Sequence, residues 1–308
     1  MKKVLFALLA VAALSSCSNE QTLELNPGDA IEFGNAFVEN STRAAADPSL
    51  GTTANPFTSF NVWGTANGVA IYAEDPVTGE VGENKVWTCT KKNYWVEGVA
   101  YKFAAVANGT VATLANGLPA TISYTANGIS DLVYAENLGE NNNGIIGKPV
   151  GSNSAVEFTF SHLLAKAKFT VTTNTSVEGY SYEVTNIKIA NAYASGTYTV
   201  ADNKWAGVAG AGQAFDAITV NSTNKEVECA AEKLLIPITG ATVSYTVTLK
   251  YNGSAIWTKD KSHEAIADLA AANSYNFTIK VNVGEEITFG VENNPSWTTQ
   301  PDKEVTIQ

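Results

Sequence analysis

Arginine is almost missing from this chain of 308 residues: Arg43 is the only one, beside eighteen lysines. Histidine is nearly as scarce, with His162 and His263 far apart in sequence, and cysteine occurs three times. Three cysteines cannot build a disulfide framework. Cys89 and Cys229 lie in different halves, so a bond between them needs an unusually close junction, and free thiols are expected. Neither histidine has a second histidine or a cysteine at zinc-ligand spacing. There is no Gly-x-Ser-x-Gly elbow and no Walker-type loop. The acidic, Asn-rich segment Asp131–Asn143 lacks the carboxylate spacing of a calcium loop and reads as a solvated loop. These absences argue against an enzyme, and no metal or cofactor is expected. Positive charge is also short: 19 basic residues face 30 acidic ones, for a net charge of −11. Such a chain lacks the cationic footprint that a phosphate backbone demands, so no nucleic acid partner is expected.

Long apolar runs are absent as well. The longest, Val4–Leu14, follows Met1-Lys2-Lys3 and has eleven residues. A helix crossing the roughly 30 Å bilayer core needs about 20, so the run fits the apolar region of an export signal instead. Leu14-Ser15-Ser16-Cys17 comes next and resembles the lipobox of bacterial lipoproteins, in which the cysteine is acylated and exposed by cleavage. Residues 1–16 are thus expected to be a signal peptide and Cys17 the lipidation site. Losing Lys2 and Lys3 takes the net charge from −11 to −13.

What fills the remainder is β-forming sequence. From Ile31 onward, short runs rich in Val, Ile, Thr, Tyr and Phe alternate with Asn, Gly, Asp and Pro clusters, which points to an all-β sandwich or barrel. Val243–Tyr251 alternates apolar odd positions with polar even ones, Asn252-Gly253 supplies the positive φ angles of a type I′ turn, and Ala255-Ile256-Trp257 returns. Phe60–Trp63, Val69–Tyr72, Val156–Phe160, Lys168–Val171 and Tyr275–Val281 read as further strands. Only Glu264–Ala272 has the Ala and Leu content for one or two helical turns. The loop from Glu140 to Asn153 divides the strands into two sets. The expected organisation is a tether and propeptide at 17–43, a sandwich at 44–153 and a second sandwich at 154–308. An edge strand from 31–38 would complete the first sandwich.

His162 sits between apolar runs and reads as a half-buried histidine satisfied by backbone. The six tryptophans fall mostly in alternating strands and read as core, although one or two exposed ones could form a sugar-stacking platform. That sets a monomeric glycan-binding surface lipoprotein as the competing reading.

Several segments then align with one family. They are the lipobox, Ile31-Glu32-Phe33, Asn40-Ser41-Thr42-Arg43-Ala44 and Phe60-Asn61-Val62-Trp63-Gly64. Asn93-Tyr94-Trp95 and Phe158–Phe169 follow, then Leu234-Leu235-Ile236-Pro237, Asn273–Ile279 and Ile287-Thr288-Phe289 ahead of Trp297. In order and spacing these resemble the fimbrillin-like pilus subunits of Bacteroidales. The resemblance implies two tandem transthyretin-like β-sandwich domains and a lipoprotein precursor held at the outer membrane by its lipid. It also implies trimming by an Arg-specific protease, here between Arg43 and Ala44, and assembly with other pilus subunits by strand exchange in support of adhesion to a host or microbial surface glycan or protein. On this reading Ile31, Phe33, Phe37 and Val38 carry the propeptide edge strand. Val305 and Ile307, with their period of two, carry a candidate donor strand.

Overall fold

In a computed structural model the described residues are 30–38, 58–79, 86–282 and 287–294. Among them the chain is all-β, with 22 strands and a single 3-10 turn at Glu140–Asn142. Residues 264–272, expected to hold a helical turn, are not helical. Leu269 exchanges two backbone hydrogen bonds with Ile238, Ala267 accepts one from Ala241, and Ala265 takes a φ of 51° that breaks helical geometry. Burying Leu269 against the neighbouring segment outweighs a weak helical preference.

The first half is a sheet that closes on itself. Around the ring run β1 (Phe33–Val38), β4 (Val86–Cys89), β3 (Val69–Thr78) and β2 (Ser59–Ala66), then β5 (Ala100–Ala107), β8 (Val133–Asn137) and β10 (Val156–His162), which returns to β1. The two-residue β9 (Ile145–Ile146) is added at β5. Phe33, Phe60, Tyr72, Trp87, Phe103 and Phe158 are among the side chains buried inside. The sequence reading placed Val156–Phe160 at the start of the second sandwich; in the structure that strand pairs with β1 and β8, and its aromatic residues lie in this first core.

The second half is a sandwich of two sheets. In one, β11 (Ala165–Thr172) is flanked by β17 (Glu226–Glu228) and β18 (Lys233–Leu235) on one side. Its other neighbour is β21 (Ser274–Lys280), which is parallel to it, and β22 (Thr288–Asn294) is the last strand on that side among the described residues. In the other, β12 (Tyr180–Ile189) pairs with β19 (Val243–Tyr251), which pairs with β20 (Ser254–His263). Val243, Tyr245, Val247 and Leu249 of β19 all point inward, as their alternation requires. Asn252 and Gly253 turn the chain with φ of 47° and 82°. Asn67-Gly68 and Asn116-Gly117 adopt the same signs at two further hairpins, and an L residue other than Asn would be strained at the first position of each.

A third sheet joins the halves. Its order is β14 (Lys204–Ala209), β13 (Tyr193–Thr199), β7 (Leu118–Thr125) and β6 (Thr110–Ala115), so two strands come from each half. The join is the antiparallel pairing of β7 with β13, from Ser195 opposite Thr125 to Thr199 opposite Thr121. Beneath it Ile122, Tyr124, Leu163, Leu164, Tyr198 and Ile236 share a separate core, and the Trp205 indole donates to the Leu163 carbonyl at 3.0 Å.

Candidate assembly groove

β1 begins where alternation dictates. Ile31 and Phe33 are buried and Glu32 between them is exposed. The Phe33 ring meets Tyr72 edge-on at 5.5 Å and Phe103 at 6.1 Å, and stacks on Phe158 at 6.0 Å. Burying such a side chain contributes roughly 1.5–3 kcal/mol. At Gly34 an added Cβ would come within 3.1 Å of the Ala155 side chain, so the position favours a residue without one. The Ile31 amide donates to the Asn93 carbonyl, and the Val156 amide donates to that of Glu32.

The neighbours of β1 depend on it. It runs parallel to β10, with Phe33 opposite Val156 and Val38 opposite Phe160, and a bulge between Gly34 and Phe37. On its other side Phe33 and Gly34 face Trp87 and Val86 antiparallel. β10 meets β8 only at Ser161 and His162, and β4 meets β3 only at Thr88 and Cys89. Among the described residues, Val156–Phe160 and Val86–Trp87 therefore take their strand pairing from β1. The sequence reading set 31–38 along an edge; in the structure the strand lies between two others, so its loss would uncover two edges. In backbone register Phe37 lies opposite Thr159 and Val38 opposite Phe160.

Cys17, Arg43, Ala44, Val305, Ile307 and Trp297 lie outside the described residues. Trp63, Trp87 and Trp95 are buried, and Trp205 and Trp257 are half-buried against Tyr198 and Tyr182. Tyr180 and the exposed Tyr251 sit 4.9 Å apart with planes at 47°, which is no coplanar platform.

Titratable groups elsewhere serve the fold. His162 is fully buried, not half-buried, and its Nδ1 lies 2.5 Å from Oδ2 of Asp131. Asp131, read from sequence as part of a solvated loop, has no exposed surface. β8 and β10 bring the two together, since the last pair of that ladder is His162 with Val133. Cys89 and Cys229 are free thiols, and burial pushes both above the usual thiol range, away from the reactive thiolate. A cleft of about 600 Å³ on the joining sheet is lined by Ser123, Thr125, Ser130, Ser195, Thr197 and neighbours, with no acid–base residue ionising near neutrality. No cluster that could hold a metal occurs among the described residues.

The family model described as fimbrillin-like matches residues 42–295, and that of the prokaryotic membrane lipoprotein lipid attachment site matches residues 1–18. No curated protein matches the sequence. Among solved structures, a fimbrial protein from Bacteroides vulgatus ATCC 8482 superposes with a TM-score of 0.60 at 14% identity, covering 88% of this chain and 100% of that one. A fimbrial assembly protein from Parabacteroides distasonis ATCC 8503 gives 0.50 at 15% identity, covering 86% and 96%. At such identities the likeness is one of fold. The family match spans most of the sequence, so the chain, a structural protein and not an enzyme, belongs to the fimbrillin-like family.

Proposed function

We propose that this chain is a subunit of a surface pilus, exported as a lipoprotein and assembled by strand exchange. The observation that carries the reading is the position of β1: it precedes the only arginine in the chain, and it lies between β4 and β10, pairing with both. An Arg-specific protease cutting between Arg43 and Ala44 would release it. The groove left behind would expose backbone of β4 and β10, and an unpaired edge templates pairing with another chain. A strand from another subunit then restores the ladder, with main-chain bonds giving affinity and alternate side chains giving register. Trimming also removes five carboxylates and Arg43, changing the net charge from −13 to −9 and lowering repulsion between subunits.

Before trimming, Cys17 would carry the lipid that holds the precursor at the outer membrane. Two acyl chains suffice for stable anchoring where one gives marginal binding. The filament would support adhesion. The testing experiment is Arg43→Ala: the variant is expected to fold, stay untrimmed and remain monomeric by size exclusion, whereas the unchanged chain gives filaments in electron micrographs. Normal filaments from the variant would refute Arg43 as the gate. Cys17→Ala should shift the protein from the membrane fraction to the soluble periplasm.

A further inference from the structure

The outer face of the joining sheet carries hydroxyls in register. Ser123 and Thr125 of β7 lie directly opposite Thr197 and Ser195 of β13, and Thr110 of β6 lies opposite Ser123. Ile122, Tyr124 and Tyr198 alternate with them and face the core beneath. Neighbouring strands are about 4.8 Å apart and same-face residues along a strand about 6.7 Å. Five hydroxyls thus form a grid on the floor of the cleft of about 600 Å³, a volume typical of ligand sites. Among the described residues none of the five has a hydrogen-bond partner. Hydroxyls on other parts of the sheets are spent on neighbours: Thr113 pairs with Thr121 at 2.7 Å, Thr248 with Thr258 at 3.1 Å, and Thr246 donates to Asp260 at 2.7 Å.

The wall of the cleft is fixed in advance. Asn127 Oδ1 accepts from the amides of Ile129 and Ser130 at 2.9 and 2.8 Å, and its Nδ2 donates to Ser130 Oγ at 2.9 Å. The Tyr124 hydroxyl donates to the Ser130 carbonyl, and Asn108 Nδ2 donates to that of Asp131 at 2.7 Å. On the far side Val208, opposite Ser195 on β14, lines the cleft with 59% of its surface exposed. A preformed wall spares a ligand the cost of ordering it.

The lining selects a chemical class. It holds no Asp, Glu, Lys, Arg or His, and burial pushes the Tyr124 hydroxyl above its ordinary range, so the cleft is uncharged. An anionic ligand would find no cation there and would approach a chain of net charge −11. A peptide adding itself as a strand needs an open edge, but β7 is paired with β6 and β13, and β13 with β7 and β14. Serine and threonine hydroxyls both donate and accept, which matches a ligand whose own groups do the same. We propose that this cleft binds a neutral saccharide, its hydroxyls on the Ser/Thr grid and one C–H face against Val208. The site gives the adhesion proposed above a ligand class and rests on that reading for its purpose. No aromatic platform is required, since recognition comes from the hydroxyl grid.

The test uses the purified untrimmed Cys17→Ala chain on an array of neutral oligosaccharides together with sialylated and sulfated ones. Binding to neutral members is expected, and titration calorimetry with the strongest of them gives Kd. Thr197→Val with Ser123→Ala removes two hydroxyls from one row of the grid and should raise Kd about tenfold or more. Thr125→Val with Ser195→Ala does the same in the other row and stands in for the first pair should that variant fail to fold. Thr248→Val, the same chemical change on a distant sheet, should leave Kd unchanged. Binding only to acidic members, or to none, overturns the proposal, as does a Kd that the cleft variants leave unmoved or that Thr248→Val raises equally. Filaments from a chain that binds no neutral saccharide would remove this site alone. A chain that binds but never polymerises would remove the pilus reading and leave the site standing.

Discussion

His162 and Asp131 form a polar contact in the interior, both buried and with Nδ1 and Oδ2 only 2.5 Å apart. Removing one member of such a pair leaves the other buried without it, a change that costs about 3–5 kcal/mol. His162→Ala should therefore lower unfolding stability in urea by that amount, and His162→Leu with Asp131→Leu by clearly less. His263 behaves differently. Burial, reinforced by nearby Lys261, holds it below its ordinary pKa of 6.5. Below that pH the unfolded chain binds a proton there more readily than the folded one, so acid lowers stability and the contribution levels off above it. In His263→Phe, the fall in Tm on going from about pH 7 to about pH 5.5 should be shallower than in the unchanged protein. The sequence made both histidines visible but not their partners. His162 and Asp131 are 31 positions apart and meet only through the β8–β10 ladder, which no local pattern announces.

Strands were the legible level. Val243–Tyr251 and its Asn-Gly hairpin lie where alternation and turn chemistry put them, since a half-buried strand must repeat every two residues. Residues 264–272 were misread because Ala and Leu content signals helix only weakly in a segment whose backbone can pair elsewhere. Pairing partners stayed hidden: Phe33 and Val156 are 123 positions apart, and a parallel ladder carries no turn signal. The seating of β1 gives a direct expectation. Phe33→Ala should destabilise the untrimmed chain by about 3–5 kcal/mol, read from denaturant unfolding followed by tryptophan emission. Trp87, one of the six tryptophans, lies opposite Phe33 on β4.

For the whole molecule, the expectation of two separate sandwiches meets a third sheet and a third core that belong to both. Nothing in the composition of β6, β7, β13 or β14 sets them apart from other strands, so their partnership across the halves was not readable. A shared core couples the stabilities of the two halves. Calorimetry of the untrimmed chain should show one cooperative transition. Tyr198 is buried at the join, with its ring against Trp205 and its hydroxyl donating to Asn203 at 2.7 Å. Tyr198→Ala should weaken the coupling and split the transition in two.

Only Leu163 and Leu164 separate β10 from β11, and this has a mechanical consequence. Under the strand exchange proposed above, a strand seated in the groove would grip β10. β10 continues covalently into β11, which lies beside β21, and β21 leads across to β22. Tension along a row of such subunits would follow this line. It would pass along backbone between strands and cross between them through whole ladders, where several hydrogen bonds resist sliding together instead of parting one by one. The remaining strands would stand beside the load path and bear little of the pull.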